Sequence, residues 1–364
     1  MPCPATRRGA FPKACRIGKL AGLESLPDWT GQREAADVRH RDQAKRPEPL
    51  LAPFVVVDDF LPADLAQDMR SDLDRHFGNP SGHRSDTHQI WNYWFVPGLY
   101  TYLRTQPEKI IEAGRIQQFS RVLRDWSVEV LGLGGITRPY LSLYVGGCRQ
   151  GLHNDSRNGR FAFVYSLTRI ERRTVGGETV ILREGDAFRR NLRTANAGTG
   201  LCHSIEPRFN RLVVFDDRLV HGVECVSGSM DPADGRCVLH GHIDESGPIV
   251  TGDLPVEALR DAIRVAIDPF VAEWSAAIHL YHGPIVFRFT ISPQGRVTGA
   301  RVVLDRVIHE DDGAPDWEQL KVALVEALGS AVFPRARGET NVTLPLTFGG
   351  PLKAVQASPA IGSA

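Results

Sequence analysis

Cysteine is scarce in this chain, net charge is absent, and no apolar run is long. The six cysteines, Cys3, Cys15, Cys148, Cys202, Cys225 and Cys237, form no CxxC pair and keep no regular spacing. That excludes a zinc knuckle and a disulfide framework and fits a reducing compartment. Lys and Arg together number 43, as do Asp and Glu, so no global field favours nucleic acid or an anionic membrane surface. Nothing approaches the ~20 consecutive apolar residues of a membrane span. The opening Met1-Pro-Cys-Pro-Ala-Thr-Arg-Arg8 has no apolar segment after its charges, unlike a secretory leader. The expectation is a cytoplasmic protein with neither a nucleic-acid nor a membrane partner. What is present is 42% hydrophobic residues over 364 positions, enough for one large core and a smaller domain.

The chain is organised around Tyr144-Val-Gly-Gly-Cys-Arg-Gln-Gly-Leu-His153-Asn-Asp155. On an extended strand residues i and i+2 share a face, so His153 and Asp155 can grip one metal ion. The third ligand expected is His221, which follows the apolar strand-like run from Asn210 to Asp217. Two histidines and one carboxylate on one side of an ion, with positions left open, is the ligand set of non-haem Fe(II) oxygenases. Taken singly, each residue is equally an ordinary packed side chain. His240 and His242 alternate on one strand and mimic a metal pair, but they bring no carboxylate. With His203 they are expected to hydrogen-bond near the mouth or at the surface. Asp216 and Asp217 either orient a ligand histidine or end their strand. Between His221 and Arg260 the only Lys or Arg is Arg236, which opens another short apolar strand. Its planar fork suits the far carboxylate of a dicarboxylic co-substrate.

In this order the motifs resemble the 2-oxoglutarate- and Fe(II)-dependent oxygenases, and among them the prolyl 4-hydroxylase-like group. The resemblance runs from about Phe54 to Ile243. It is carried by Phe54-Val-Val-Val-Asp-Asp-Phe-Leu-Pro62, by Tyr144 ahead of His153-x-Asp155, and by Arg160-Phe-Ala-Phe-Val-Tyr-Ser-Leu167. Gly176-Gly-Glu-Thr-Val-Ile-Leu182, the His221 strand and Arg236 complete it. It implies a double-stranded β-helix, or jelly roll, with iron held by His153, Asp155 and His221. Arg236 would anchor the distal carboxylate of 2-oxoglutarate, with Tyr144 as a second donor. Fe(II), 2-oxoglutarate and O2 are the cofactors implied, with ascorbate as reductant. The implied activity is hydroxylation of an aliphatic C–H bond in a peptidyl or free amino acid, so the partner is a peptide, protein or amino-acid substrate. The alternatives are an oxygenase of small metabolites, or a non-catalytic jelly-roll scaffold or sensor. The gap from His221 to Arg236, which carries Ser227-Gly-Ser-Met-Asp-Pro-Ala-Asp-Gly235, is longer than usual in the family. Asp155 argues against halogenation, which in related enzymes needs a small residue at that position.

The fold class expected is mainly β with α (α+β), in four segments. Residues 1–50 read as a basic arm, either a solvated extension or a docking arm. Residues 51–246 form the oxygenase jelly roll. Within it, Leu65, Met69 and Leu73 mark one face of a helix. A polar loop from Ser81 runs into Trp91, Tyr93 and Trp94, which either touch substrate or pack the sheet. A helix from about Lys109 to Leu131 should cover the barrel from outside, and Gly176-Gly177 should form a tight turn. Residues 250–349 form a small α+β domain with helices at Pro255–Ile267 and Phe270–Leu280. It continues with a hairpin around Pro293-Gln-Gly295, a helix capped by Asp316, and a strand from Asn341 to Phe348. Through Val286-Phe-Arg-Phe-Thr-Ile-Ser-Pro-Gln-Gly-Arg-Val297, Ala331-Val-Phe-Pro334 and Val342-Thr-Leu-Pro-Leu-Thr-Phe348 it resembles the C-terminal domain of TonB-type proteins. Its open sheet edge would take a protein partner, or the domain is a structural appendage. Residues 350–364 read as a tail.

Overall fold

The computed structural model describes residues 54–79, 90–155, 160–182, 202–309 and 315–349. The basic arm, the polar loop from Ser81 to His88, Cys3, Cys15 and the tail lie outside the described residues. The chain divides into two compact units, one holding 54–126 and 134–245 and the other 127–133 and 246–349. No helix among the described residues is long and apolar enough to cross a membrane.

The first unit is mainly β. In order it runs β1 (Phe54–Val57), α1 (Ala63–Gly78), β2 (Asn92–Val96), β3 (Tyr100–Thr105), α2 (Ala113–Val130), β4 (Gly135–Ile136), β5 (Tyr140–Tyr144) and β6 (Arg149–His153). It continues with β7 (Phe161–Ser166), β8 (Thr174–Val175), β9 (Thr179–Leu182), β10 (Cys202–Ile205), β11 (Leu212–Asp216), β12 (His221–Val223), β13 (Ser227–Gly228) and β14 (Arg236–Asp244). The main sheet follows the path β1-β11-β7-β14-β5-β3-β6-β12-β9-β10, with β2 beside β3 and β4 beside β14. Strands far apart on this path nevertheless share a core. Ala162 of β7 and Val213 and Phe215 of β11 pack with Ile181 of β9 and Ile205 of β10. Phe54, on the first strand of the path, lies with its ring centroid 4.7 Å from that of His203 on the last. The sheet therefore curls until its two ends meet, as a jelly roll requires.

Alternation along the strands sorts the side chains. Ala162 and Val164 of β7 face the interior cluster, whereas Phe163 and Tyr165 meet Phe119 of α2 at 6.1 and 5.1 Å between ring centroids. This helix does cover the outside of the sheet, but it starts later than its apolar spacing suggests. Pro107–Lys109 makes a separate 3-10 turn, and α2 begins only at Ala113. Ile111, fully buried, is placed by the turn, its N–H bonding to Pro107 O. In α1, Leu65, Met69 and Leu73 are all buried, as their i, i+4, i+8 spacing implies.

The second unit has β15 (Ile249–Thr251), α3 (Val256–Glu273), β16 (Tyr281–Ile291), β17 (Val297–Asp305), β18 (Ile308–His309), α4 (Trp317–Gly329) and β19 (Thr340–Phe348). Its sheet order is β15-β19-β16-β17, with β18 beside β16. Ile285, Phe287, Phe289 and Ile291 share one face of β16 and pack with Leu259, Ile263 and Phe270 of α3 and Leu320, Leu324 and Leu328 of α4. The β16–β17 hairpin turns at Gly295, where φ is +80° and a glycine is needed. The Asp316 carboxylate accepts the Glu318 N–H at 3.1 Å, capping α4. Two helices are expected before this hairpin, but α3 is one continuous helix through Pro269, followed by a short 3-10 turn at Ile278–Leu280. The carbonyl that Pro269 cannot pair belongs to Val265, whose side chain is exposed. Solvent on that face tolerates the missing bond.

Candidate metal centre

Antiparallel pairing of β6 with β12 sets His153 opposite His221. Their ring centroids lie 4.4 Å apart. Asp155, just past the end of β6, brings its Oδ2 to 3.8 Å from His153 Nε2 and 3.5 Å from His221 Nε2. One donor atom from each residue falls within 4.8 Å of the others, and this is the only such cluster of His, Cys, Asp and Glu among the described residues.

The imidazoles are oriented by main chain. His153 Nδ1 lies 2.8 Å from the Gly151 carbonyl, and His221 Nδ1 lies 2.9 Å from that of Leu219. A carbonyl only accepts, so each Nδ1 carries a proton and each Nε2 is the ring nitrogen left for a metal ion, which would take it in its deprotonated form. Burial, with the neighbouring His221, lowers the His153 pKa. Burial raises that of Asp155, but the His221 hydrogen bond and the two imidazoles outweigh it, and the net shift is downward. Neutral imidazole and ionised carboxylate are the forms that bind a cation. The Asp155 N–H donates to the Asp217 carbonyl at 3.0 Å, which fixes the backbone there.

Asp216 ends β11, and the side chains of both Asp216 and Asp217 have partners outside the triad. Asp216 pairs with Arg218, while Asp217, with its pKa raised by burial, sits 3.2 Å from His242 Nδ1. His240, half-buried, makes the hydrogen bond expected of it and is not part of the triad. It lies 2.8 Å from Ser142 Oγ, and burial drops its pKa to about 3.

Arg236 opens β14 directly opposite Tyr144 of β5. Its guanidinium is 1% exposed, lies 4.7 Å from the centre of the Tyr144 ring and donates from Nη2 to Thr179 Oγ1 at 3.1 Å. Its Nε has no partner, and among the described residues it forms no ion pair with a carboxylate. A buried charge without a counter-ion is costly, so this one points to an anionic ligand. Gly177, at φ +79°, makes room: a Cβ there would sit 3.1 Å from Arg236 Cδ. Arg172 adds positive potential nearby, with an unpartnered Nη1 of its own. Tyr144, the second donor expected, lies beside the guanidinium and donates to Gln150 Oε1 at 3.1 Å, and Gln150 Nε2 lies 3.3 Å from His153 Nε2. Tyr144 and Gln150 thus link Arg236 to His153 through a run of adjacent side chains. Gln150 escaped the sequence analysis, although it stands three residues before His153 in the organising stretch.

The aromatic segment divides. Trp91 packs inward, stacked on Phe77 at 6.0 Å. Tyr93 and Phe95 are 63% and 59% exposed, so they do not pack the sheet core. Trp94 instead begins a row of stacked rings. It faces Tyr102 at 6.3 Å, and Tyr102 faces Tyr144 at 5.0 Å. Tyr100 lies edge-on to His153 at 5.3 Å. A strand period of two, with Tyr100, Tyr102 and Arg104 alternating, was the available signal for this wall.

No protein-family model matches the chain, and no curated protein matches it. Among solved structures it is similar to a Pseudomonas putida prolyl-4-hydroxylase at TM-score 0.39 and 18% identity, over 54% of this chain and 94% of that one. It is also similar to a Trichoplax adhaerens prolyl hydroxylase in complex with a hypoxia inducible factor peptide fragment, at TM-score 0.38 and 16% identity, over 52% and 81%. A third is SnoN, a non-heme alpha ketoglutarate dependent epimerase from nogalamycin biosynthesis, at TM-score 0.37 and 10% identity, over 54% and 79%. Likeness at this level does not establish function, which has to come from the chemistry of the site.

Proposed function

We propose that the chain is an Fe(II)- and 2-oxoglutarate-dependent oxygenase that hydroxylates an aliphatic C–H bond, of the prolyl hydroxylase-like kind. The observation that carries this is the convergence of two imidazole Nε2 atoms and one carboxylate, a donor set suited to Fe(II) with open positions. The orphaned, fully buried Arg236 is where a second carboxylate would be received. Once bound, iron and 2-oxoglutarate would supply the oxidising power, with succinate and CO2 as co-products and ascorbate as external reductant. The protein's part is to hold and to exclude. His153, Asp155 and His221 hold the metal, and Arg236 with Thr179 holds the distal carboxylate. Tyr144 and Tyr102, stacked on one another beside Arg236, would help to keep water from it. The substrate class that accords best with an open aromatic face is a peptidyl or free amino acid. We further propose that the second unit is TonB-C-terminal-like and takes a protein partner along β17, which among the described residues pairs only with β16.

The deciding experiment is anaerobic addition of Fe(II) and 2-oxoglutarate to the full chain, read by the visible charge-transfer band. Wild type is expected to show the band, and His153→Ala and Asp155→Ala to lose it while keeping their far-ultraviolet circular dichroism. A band unchanged in both variants, or absent from wild type, overturns the proposal. Succinate release under O2 is the second readout.

A further inference from the structure

Arg104 is the one other arginine on the aromatic wall, and its setting is unusual. Its Cζ lies 3.7 Å from the centre of the Trp94 ring and 4.0 Å from that of Tyr140. Both faces of the guanidinium are therefore covered by rings that are themselves 38% and 42% exposed. Stacking fixes its plane and leaves only the N–H groups along its edge to be satisfied. The group is charged at every working pH, yet among the described residues no carboxylate pairs with it. It hydrogen-bonds Tyr102 at one point of that edge, and its positive charge acts on Tyr102 and His240, which also feels Asp155 and Arg236.

Position along the wall supplies the second half of the argument. Tyr100, Tyr102 and Arg104 occupy one face of β3, and Tyr100 is the ring against His153. Four residues of strand put Arg104 about 13 Å beyond Tyr100. Charge bookkeeping agrees. A ferrous ion, the Asp155 carboxylate, the Arg236 cation and a 2-oxoglutarate dianion sum to zero without drawing on Arg104.

Resting on the oxygenase reading of the triad, we infer that Arg104, clamped between Trp94 and Tyr140, receives a carboxylate of the substrate. The substrate is an extended acid of short-peptide size whose carboxylate lies on the order of 10 Å from the carbon to be oxidised. Its body lies along Tyr102 and Tyr100. A free amino acid is too short to span that distance, so the geometry favours a peptide that ends in, or carries, a carboxylate.

The test is equilibrium binding of N-acetyl-Pro-Ala-Ala-Ala as the free acid and as the C-terminal amide. Both are offered to the full chain at saturating Mn(II) and 2-oxoglutarate, where no turnover occurs. Wild type is expected to hold the acid at least tenfold tighter than the amide. Arg104→Gln should erase that preference, and Arg104→Lys, which keeps the charge, should restore part of it. N-acetyl-proline, the short control, should show no dependence on Arg104. Equal binding of acid and amide, no binding of the acid by wild type, or an acid preference that survives in a folded Arg104→Gln chain overturns the inference. The charge-transfer band keeps the two claims apart. If the band is present and acid and amide bind alike, only the Arg104 inference fails. If the band is missing and binding of the acid still depends on Arg104, the oxygenase proposal fails and the carboxylate site stands.

Discussion

Arg236 keeps a cation where cations are expensive, and its substitution should cut two ways. Arg236→Met removes a desolvated charge that has no counter-ion in the free chain. The ligand-free protein should therefore gain on the order of 1 kcal/mol or more in urea titrations. The same variant should lose the ~2.7 kcal/mol of stabilisation that a ligand at a hundred times its Kd confers when 2-oxoglutarate and Mn(II) are added. A ligand-free Arg236→Met chain less stable than wild type would mean that the hydrogen bond to Thr179 and the contact with Tyr144 outweigh the cost of burying the charge. His240 gives the pH dependence. Folded, its pKa is about 3 because burial disfavours the charged ring; unfolded, it is about 6.5. Between these values only the unfolded chain binds the proton, so stability is complete above about 6.5 and falls as the pH drops toward 3. The slope is on the order of 1 kcal/mol per pH unit. His240→Gln, which still offers Ser142 a partner, should flatten it, and urea midpoints at pH 4 and 7 measure the difference. Of these residues, the triad and Arg236 stand out in sequence because their spacing carries them. Arg104 does not, because Trp94 reaches it only through the register of the β2–β3 hairpin and Tyr140 comes from β5.

Elements were legible where local chemistry alone decides them. The Asp316 cap, the Gly295 turn and the α1 stripe belong to this class, since each depends on residues a few positions apart. The start of α2 and the passage of α3 through Pro269 were not legible, because a 3-10 turn in one case and a solvent-facing carbonyl in the other override local propensity. Asp316→Ala should cost about 1 kcal/mol in the second unit and leave the charge-transfer band alone, as thermal melts and visible spectra together would show. The Gly176-Gly177 turn behaves differently. A side chain at Gly177 meets both positive φ and the stem of Arg236. Gly177→Ala should lose roughly 1–2 kcal/mol and weaken 2-oxoglutarate binding as well. Stability lost with full affinity would place Arg236 away from the co-substrate.

At the scale of the whole molecule, each unit has its own apolar core. Calorimetry of the full chain should show two transitions, of which Mn(II) with 2-oxoglutarate raises only the one belonging to the unit that contains His153, Asp155 and His221. A shift of both transitions together would mean that the two cores unfold as one. The mainly β class and the jelly roll were expected from the resemblance carried by the ordered motifs, not from any local window, to which the contact between Phe54 and His203 is invisible.

His153 and His221 are each braced by a carbonyl only two residues behind, at Gly151 and at Leu219. Such a brace travels with its own tripeptide. Repacking the surrounding side chains would leave the aim of both nitrogens intact, and a protein engineer could graft the two short segments onto any pair of antiparallel neighbours able to hold them face to face.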